Sequence, residues 1–307
     1  MPDHSHAGHS QAPTPSADRR YLVAALVLLV AFLVAEVVVA VLAGSLALLS
    51  DAGHMLSDVG AIALALVAAR LALRPAAGTW TFGMHRAEIL SAAINGVTLL
   101  VVSVIVAVEA VRRLVDPPDV AGWPMVLTAV AGCVVNVVVA WMLARADRRS
   151  LNVEGAYQHV LTDLYGFVGT LVAGVLVITN GWTRADPVAS LLVVALMLYA
   201  AWGLLRDSGR ILLEAAPADT DLAAMRTHLL EVSHVREVHD LHVWTVTSSL
   251  PTLSAHIVID DACFADGHAP RILDEIQACL AGHFDVEHST FQLEPPGHAD
   301  HEAGAHA

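Results

Sequence analysis

Six apolar stretches, each near the length of a bilayer-spanning helix, occupy the first two thirds of this 307-residue chain. They run over about 21–43, 49–73, 88–112, 122–146, 155–180 and 187–212. Crossing the hydrocarbon core takes roughly 20 residues of helix. Inside lipid each backbone N–H and C=O must find a partner within the protein, so apolar segments of this length are read as helices. Gly44, Pro75, Pro117, Pro118, Gly181 and Pro187 mark the breaks between them. None of these connections is long enough to hold a further domain. Only 15% of the residues are charged, against about 25% in a soluble protein. These features predict a six-helix membrane domain over 21–213, preceded by a polar tail at 1–20 that carries His4, His6 and His9.

From Ala215 the pattern changes. Asp219 or Thr220 is a candidate cap for a helix running to about Val232. Val238 to Thr247 alternates as a strand does, Ser248 to Pro251 turns, and Leu253 to Ile259 reads as the hairpin partner. A second helix over about Ala269 to Ala281 and a third strand over about Val286 to Leu293 complete an α-β-β-α-β order. That order predicts a small open-faced α+β sandwich over 214–295, followed by a polar tail at 296–307 with His298, His301 and His306. From Glu214 onward the chain has 16 acidic residues against three Arg. So acidic a segment argues against nucleic-acid binding and for attraction of cations.

Arg residues give an orientation. With the N-terminus in the cytosol, ten flank the inner ends of the six segments and only Arg112, Arg113 and Arg184 flank the outer ends. The positive-inside rule then places both termini in the cytosol. About twenty polar residues precede the first apolar run, which is not the pattern of a secretory signal. Cys133, Cys263 and Cys279 form no C-x-x-C pair and no disulfide framework.

Within the second and fifth apolar segments the pentad His-X-Leu-(Ser/Thr)-Asp occurs twice, as His54 to Asp58 and as His159 to Asp163. A spacing of four stacks imidazole and carboxylate on one helix face. Ionisable groups at membrane depth are costly and mark ion pathways or sites. Burying two carboxylates without a cation is unfavourable. The four side chains supply two nitrogens and two oxygens, a tetrahedral set suited to zinc. Asp51, one turn before His54, is either an approach ligand or an interfacial residue. Glu36, Asn95 and Asn136, polar residues within apolar segments, either orient the imidazoles or bond between helices.

Over about residues 19–295 the chain resembles the cation diffusion facilitator family of metal transporters, specifically its bacterial zinc branch. The resemblance rests on Ser45 to Asp58, on Phe82-Gly83-Met84-His85-Arg86-Ala87-Glu88, on the second pentad, and on His239-Asp240-Leu241-His242-Val243-Trp244. It implies six transmembrane helices and a cytosolic, ferredoxin-like metallochaperone domain. It also implies a homodimer in the cell membrane, no cofactor, and export of a divalent metal, zinc foremost, in exchange for protons. The transport site it implies is His54, Asp58, His159 and Asp163. It favours His242, His256, His288 and Glu294 as regulatory metal ligands in the cytosolic domain, with His239 and His268 matching ligands of some other members. His239 and His242 are three apart, so strict alternation puts them on opposite faces of a strand unless a bulge intervenes. Arg86 matches a basic position that pairs, in the family, with an acidic residue best matched by Glu214; otherwise Arg86 is one more positive-inside residue. Two rival readings are an intramembrane zinc metalloenzyme and a membrane-anchored metal sensor. No H-E-x-x-H or equivalent supports the first, and duplicated ligands deep in the bundle disfavour the second.

Overall fold

The computed structural model describes residues 15–43, 46–117, 122–146, 151–247, 250–283 and 288–298. Two compact units divide between Ser208 and Gly209. The first contains α1 (Pro15–Ala43), α2 (Leu46–Ala72), α3 (Ala87–Val115), α4 (Gly122–Leu143), α5 (Leu151–Asn180) and all but the last turn of α6 (Ala185–Leu212). Among the described residues α3, α4, α5 and α6 are long and apolar enough to cross a membrane, and Arg20–Ala35 of α1 forms a shorter apolar stretch. Most helices start earlier than the apolar runs do. Polar residues such as Asn152 and Glu154 open α5, and intrahelical hydrogen bonds hold them as readily as apolar ones.

Helices α1, α2, α4 and α5 share one core, in which Leu22, Leu29, Ile62, Leu143, Val153 and Val160 are buried. Leu99 of α3 packs with Met197, Ala201 and Leu204 of α6 in a second cluster. Many Val and Leu side chains on the outer faces are exposed, as a lipid-facing surface requires. Close approach of α4 and α5 depends on Gly132: a Cβ there would lie 2.3 Å from the Phe167 ring. Small residues at helix contacts are the usual device for backbone approach in membranes.

Gly83, in the turn before α3, has φ +66, and a Cβ there would meet the Arg74 carbonyl at 2.9 Å. The glycine of the Phe-Gly-Met-His-Arg motif is thus a backbone requirement.

In the second unit, α7 (Leu222–Leu230) leads to β1 (Val235–Thr245) and β2 (Pro251–Ile259), then α8 (Ala262–Ala265), α9 (Ala269–His283) and β3 (His288–Glu294). The α-β-β-α-β order holds, with α8 added. The cap of α7 is Asp221, not Asp219 or Thr220; its carboxylate accepts from Ala223 N and Ala224 N, both at 3.0 Å. Asp221 has the extended backbone a cap needs, whereas Thr220 is held in the preceding turn by Pro217. Ser248 and Ser249 of the expected turn and residues 284–287 before β3 lie outside the described residues.

The sheet order is β1-β2-β3, with β1 antiparallel and β3 parallel to β2. Val238, Val243, Leu253, Ala255, Ile257 and Ile259 point from one face into a core shared with Met225, Leu229, Ile272 and Ile276 of α7 and α9.

Candidate metal centres

Asp58 lies near the middle of α2, and His159 and Asp163 lie one turn apart on α5. His159 Nε2 is hydrogen-bonded to Asp58 Oδ1 at 2.7 Å and lies 3.9 Å from Asp163 Oδ2. One potential ligand atom from each of the three falls within 4.8 Å of the others. Tetrahedral zinc ligands sit about 3.4 Å from one another, given metal–ligand distances near 2.1 Å. The three groups therefore need only a small adjustment to share one ion. His159 is buried, and neither its Nδ1 nor Asp163 Oδ2 has a hydrogen-bond partner among the described residues. His54 stands on α2 one turn before Asp58. The side chains of His54, Asp51 and Glu36 lie outside the described residues.

Besides their shared apolar core, α2 and α5 are joined by a polar residue outside the apolar pattern. Asn152 is 0% exposed, and its Nδ2 donates to the Ala65 carbonyl at 2.8 Å. Ala65 is two turns beyond Asp58 on α2, and Asn152 two turns before His159 on α5. The two contacts thus report the same antiparallel register. Asn152 escaped notice because it precedes the apolar run of its helix. Asn136, a candidate for orienting an imidazole, instead donates to Gly132 O of its own helix at 3.1 Å. Asn95 is buried, and its Nδ2 faces Gly155 of α5, 3.6 Å from where a Cβ would stand.

The second unit gathers a different set from the one the resemblance favoured. His239, Asp240 and His256 form a group whose ligand atoms lie within 4.8 Å. Glu294 bridges the two imidazoles, with Oε2 3.2 Å from His239 Nε2 and Oε1 2.7 Å from His256 Nδ1. Gln292 Nε2 donates to the same Oε1 at 2.9 Å. The two rings meet edge to face at 5.1 Å between centroids. His239 is 4% exposed and Glu294 1%. His239 Nδ1 has no hydrogen-bond partner among the described residues.

Strict alternation fails in β1. His239 pairs with His256 but His242 with Ser254, so β1 spends one more residue than β2 between these pairs. The bulge sits at Asp240, whose φ is +45. It places His239 and His242 on the same face, opposite the apolar core and one row apart. His256 and Glu294 of the favoured set join the cluster. His242, with its side chain 56% exposed and Nε2 3.9 Å from Asp240 Oδ1, does not. His288 does not join it either; it is exposed at the start of β3, level with Thr252. His268 lies elsewhere, with Nδ1 2.7 Å from Asp266 Oδ1. Arg86 belongs to the first unit, at the entry to α3, and Glu214, with φ +59, to the second, in the turn after α6.

Fold and site together define a multi-pass membrane protein whose bundle carries a cation-competent cluster of imidazole and carboxylates. Residues 22–213 match the family model of the cation efflux transmembrane domain, and residues 217–296 match that of the cation efflux protein cytoplasmic domain. The chain belongs to this family of cation efflux (cation diffusion facilitator) proteins, which are transporters and not enzymes. It is 38% identical over 288 residues to the zinc transporter ZitB of Pectobacterium atrosepticum, covering 93% of this chain and 88% of that one. It is also 38% identical over 240 residues to the cadmium, cobalt and zinc/H(+)-K(+) antiporter of Bacillus subtilis, covering 78% and 76%. Identity to the metal cation efflux system protein CzcD of Cupriavidus metallidurans is 39% over 234 residues, covering 76% and 73%.

Proposed function

We propose that the chain exports zinc from the cytosol in exchange for protons, as a homodimer in the cell membrane with both termini cytosolic. His54, Asp58, His159 and Asp163 form the carrying site. Names of relatives support zinc and proton coupling, and the Arg distribution supports the orientation. The observation that carries the reading is the 2.7 Å hydrogen bond between His159 Nε2 and Asp58 Oδ1. These are the two atoms that would bind zinc, so a proton and the metal compete for one place. Coordination requires neutral imidazole and ionised carboxylate, so metal entry releases protons and proton entry releases metal. Rocking of the helices, exposing the site to one side at a time, turns this competition into antiport.

The cluster of His239, His256, Glu294 and Asp240 fits a second, regulatory zinc. Two imidazoles and a bridging carboxylate already lie at near-ligand spacing, and the cluster is largely closed to solvent. A dication there lowers the negative charge of the cytosolic segment and so the repulsion between two copies. His242, one row away on the same face, borders that site.

Zinc flux and internal pH, followed together in proteoliposomes, test the proposal. Asp163→Ala is expected to abolish zinc flux and the coupled pH change while the melting temperature in detergent stays close to wild type. Wild-type zinc flux in that variant would overturn the site assignment.

A further inference from the structure

A second pair of imidazoles lies on the second unit, separate from the buried cluster. His234 and His268 face each other with ring centroids 6.5 Å apart and planes inclined by 30°. Each ring is held by a carboxylate through the same nitrogen. His234 Nδ1 is 3.1 Å from Asp260 Oδ2, and His268 Nδ1 is 2.7 Å from Asp266 Oδ1. An imidazole that gives its Nδ1–H to a carboxylate keeps its Nε2 lone pair for a metal, and this is the usual outer partner of a metal-bound histidine. Here the pattern occurs twice, side by side.

Both frames are fixed by backbone as well. Asp260 N donates to His234 O at 3.1 Å, so His234 and Asp260 are tied twice. His268 N donates to Asp266 Oδ1 at 3.1 Å, the oxygen that also meets its ring. His234 holds φ +69, a conformation costly for a residue with a Cβ. It presents the ring at the turn into β1. The hydrogen bonds from Arg236 and then His234 keep the Asp260 carboxyl below the ordinary carboxylate range, and His268 does the same for Asp266. Both therefore remain acceptors at neutral pH. Arg236 engages the other oxygen of Asp260, leaving Oδ2 to the imidazole. Cys263, between the two aspartates in sequence, is buried in the core and takes no part.

We propose that His234 and His268 bind a divalent transition metal through their Nε2 atoms, with Asp260 and Asp266 as the carboxylates that orient them. Two imidazoles on one tetrahedral zinc have centroids roughly 5 Å apart, close to the 5.1 Å of the buried pair His239 and His256. The exposed rings, with centroids 6.5 Å apart, must approach by side-chain rotation for both Nε2 atoms to share one ion. They are 49% and 48% exposed, so the remaining coordination positions stay with water. This is a capture site exchanging readily with solvent, unlike the closed cluster on the sheet face. It does not depend on the transport proposal.

Histidine-directed acylation of the full-length protein in detergent, resolved residue by residue by mass spectrometry across a zinc titration, tests the site. Zinc is expected to protect His234 and His268 together, with one shared half-saturation point. His268→Ala should shift protection of His234 to about tenfold higher zinc or more, and Asp260→Asn should weaken it as outer-partner losses do, by about tenfold. Unprotected His234 in the wild type, or unchanged protection of His234 in His268→Ala, would overturn the proposal. Circular dichroism of each variant confirms that the fold is retained. If His268→Ala fails to fold, His268→Gln provides the same comparison.

Discussion

Replacing Asn152 by alanine isolates a polar contact between α2 and α5. The side chain is buried, and its one interhelical bond goes from Nδ2 to the Ala65 carbonyl at 2.8 Å. Seven residues separate this bond from the His159–Asp58 contact on both helices, which is about 10 Å at 1.5 Å per residue. Interhelical hydrogen bonds in membranes average about 0.6 kcal/mol and reach about 2 kcal/mol in model peptides. If all of that is lost from the arrangement that holds Asp58 beside His159, zinc half-saturation rises by about 3- to 30-fold, at 1.4 kcal/mol per tenfold. Asn152 Oδ1 has no hydrogen-bond partner among the described residues. Alanine therefore also removes an unsatisfied buried acceptor, which offsets part of the loss and favours the lower half of the range. Zinc uptake into proteoliposomes, with KM and kcat separated, gives the readout, and thermal unfolding in detergent gives the stability. A KM within about twofold of wild type, with the melting temperature also unchanged, would refute a role for this contact in holding Asp58 beside His159.

Gly132→Ala should destabilise the bundle by about 1–3 kcal/mol, the usual range for overpacking, because its Cβ would meet the Phe167 ring at 2.3 Å. Adding Phe167→Ala should restore part of the loss in thermal unfolding. Asp260 has its pKa lowered, chiefly by the Arg236 hydrogen bond and then by His234, from an ordinary value of 3.8. A carboxyl with a depressed folded-state pKa contributes stability above its unfolded value, and that contribution is lost as pH falls from there through the folded value. Stability of the full chain, followed by circular dichroism from pH 5 downward, should therefore fall less steeply in Asp260→Asn than in wild type.

The membrane unit was legible because its physics is local. A run of apolar residues must become helix in lipid whatever its neighbours do. The His-X-X-X-Asp spacing puts both groups on one face by helix geometry alone. The facing of Asp58 toward His159, 101 residues later, is a long-range fact. It accompanies the reach of Asn152 to Ala65, and Asn152 does not stand out in an apolar pattern.

In the second unit periodicity predicted three strands and their order along the chain, since a buried sheet face demands alternation. It could not reveal the extra residue at Asp240. That bulge brings His239 and His242 to one face, and only the pairing of β2 with β1 on one side and β3 on the other selects His239, His256 and Glu294 for the closed cluster. His234 and His268 carry no shared signal in the sequence either. They meet because the chain returns past β2 to the start of α9, where Asp260 and Asp266 wait for them. Which residues can bind a metal was written in side-chain chemistry. Which of them meet was decided by hydrogen bonds between segments distant in the chain.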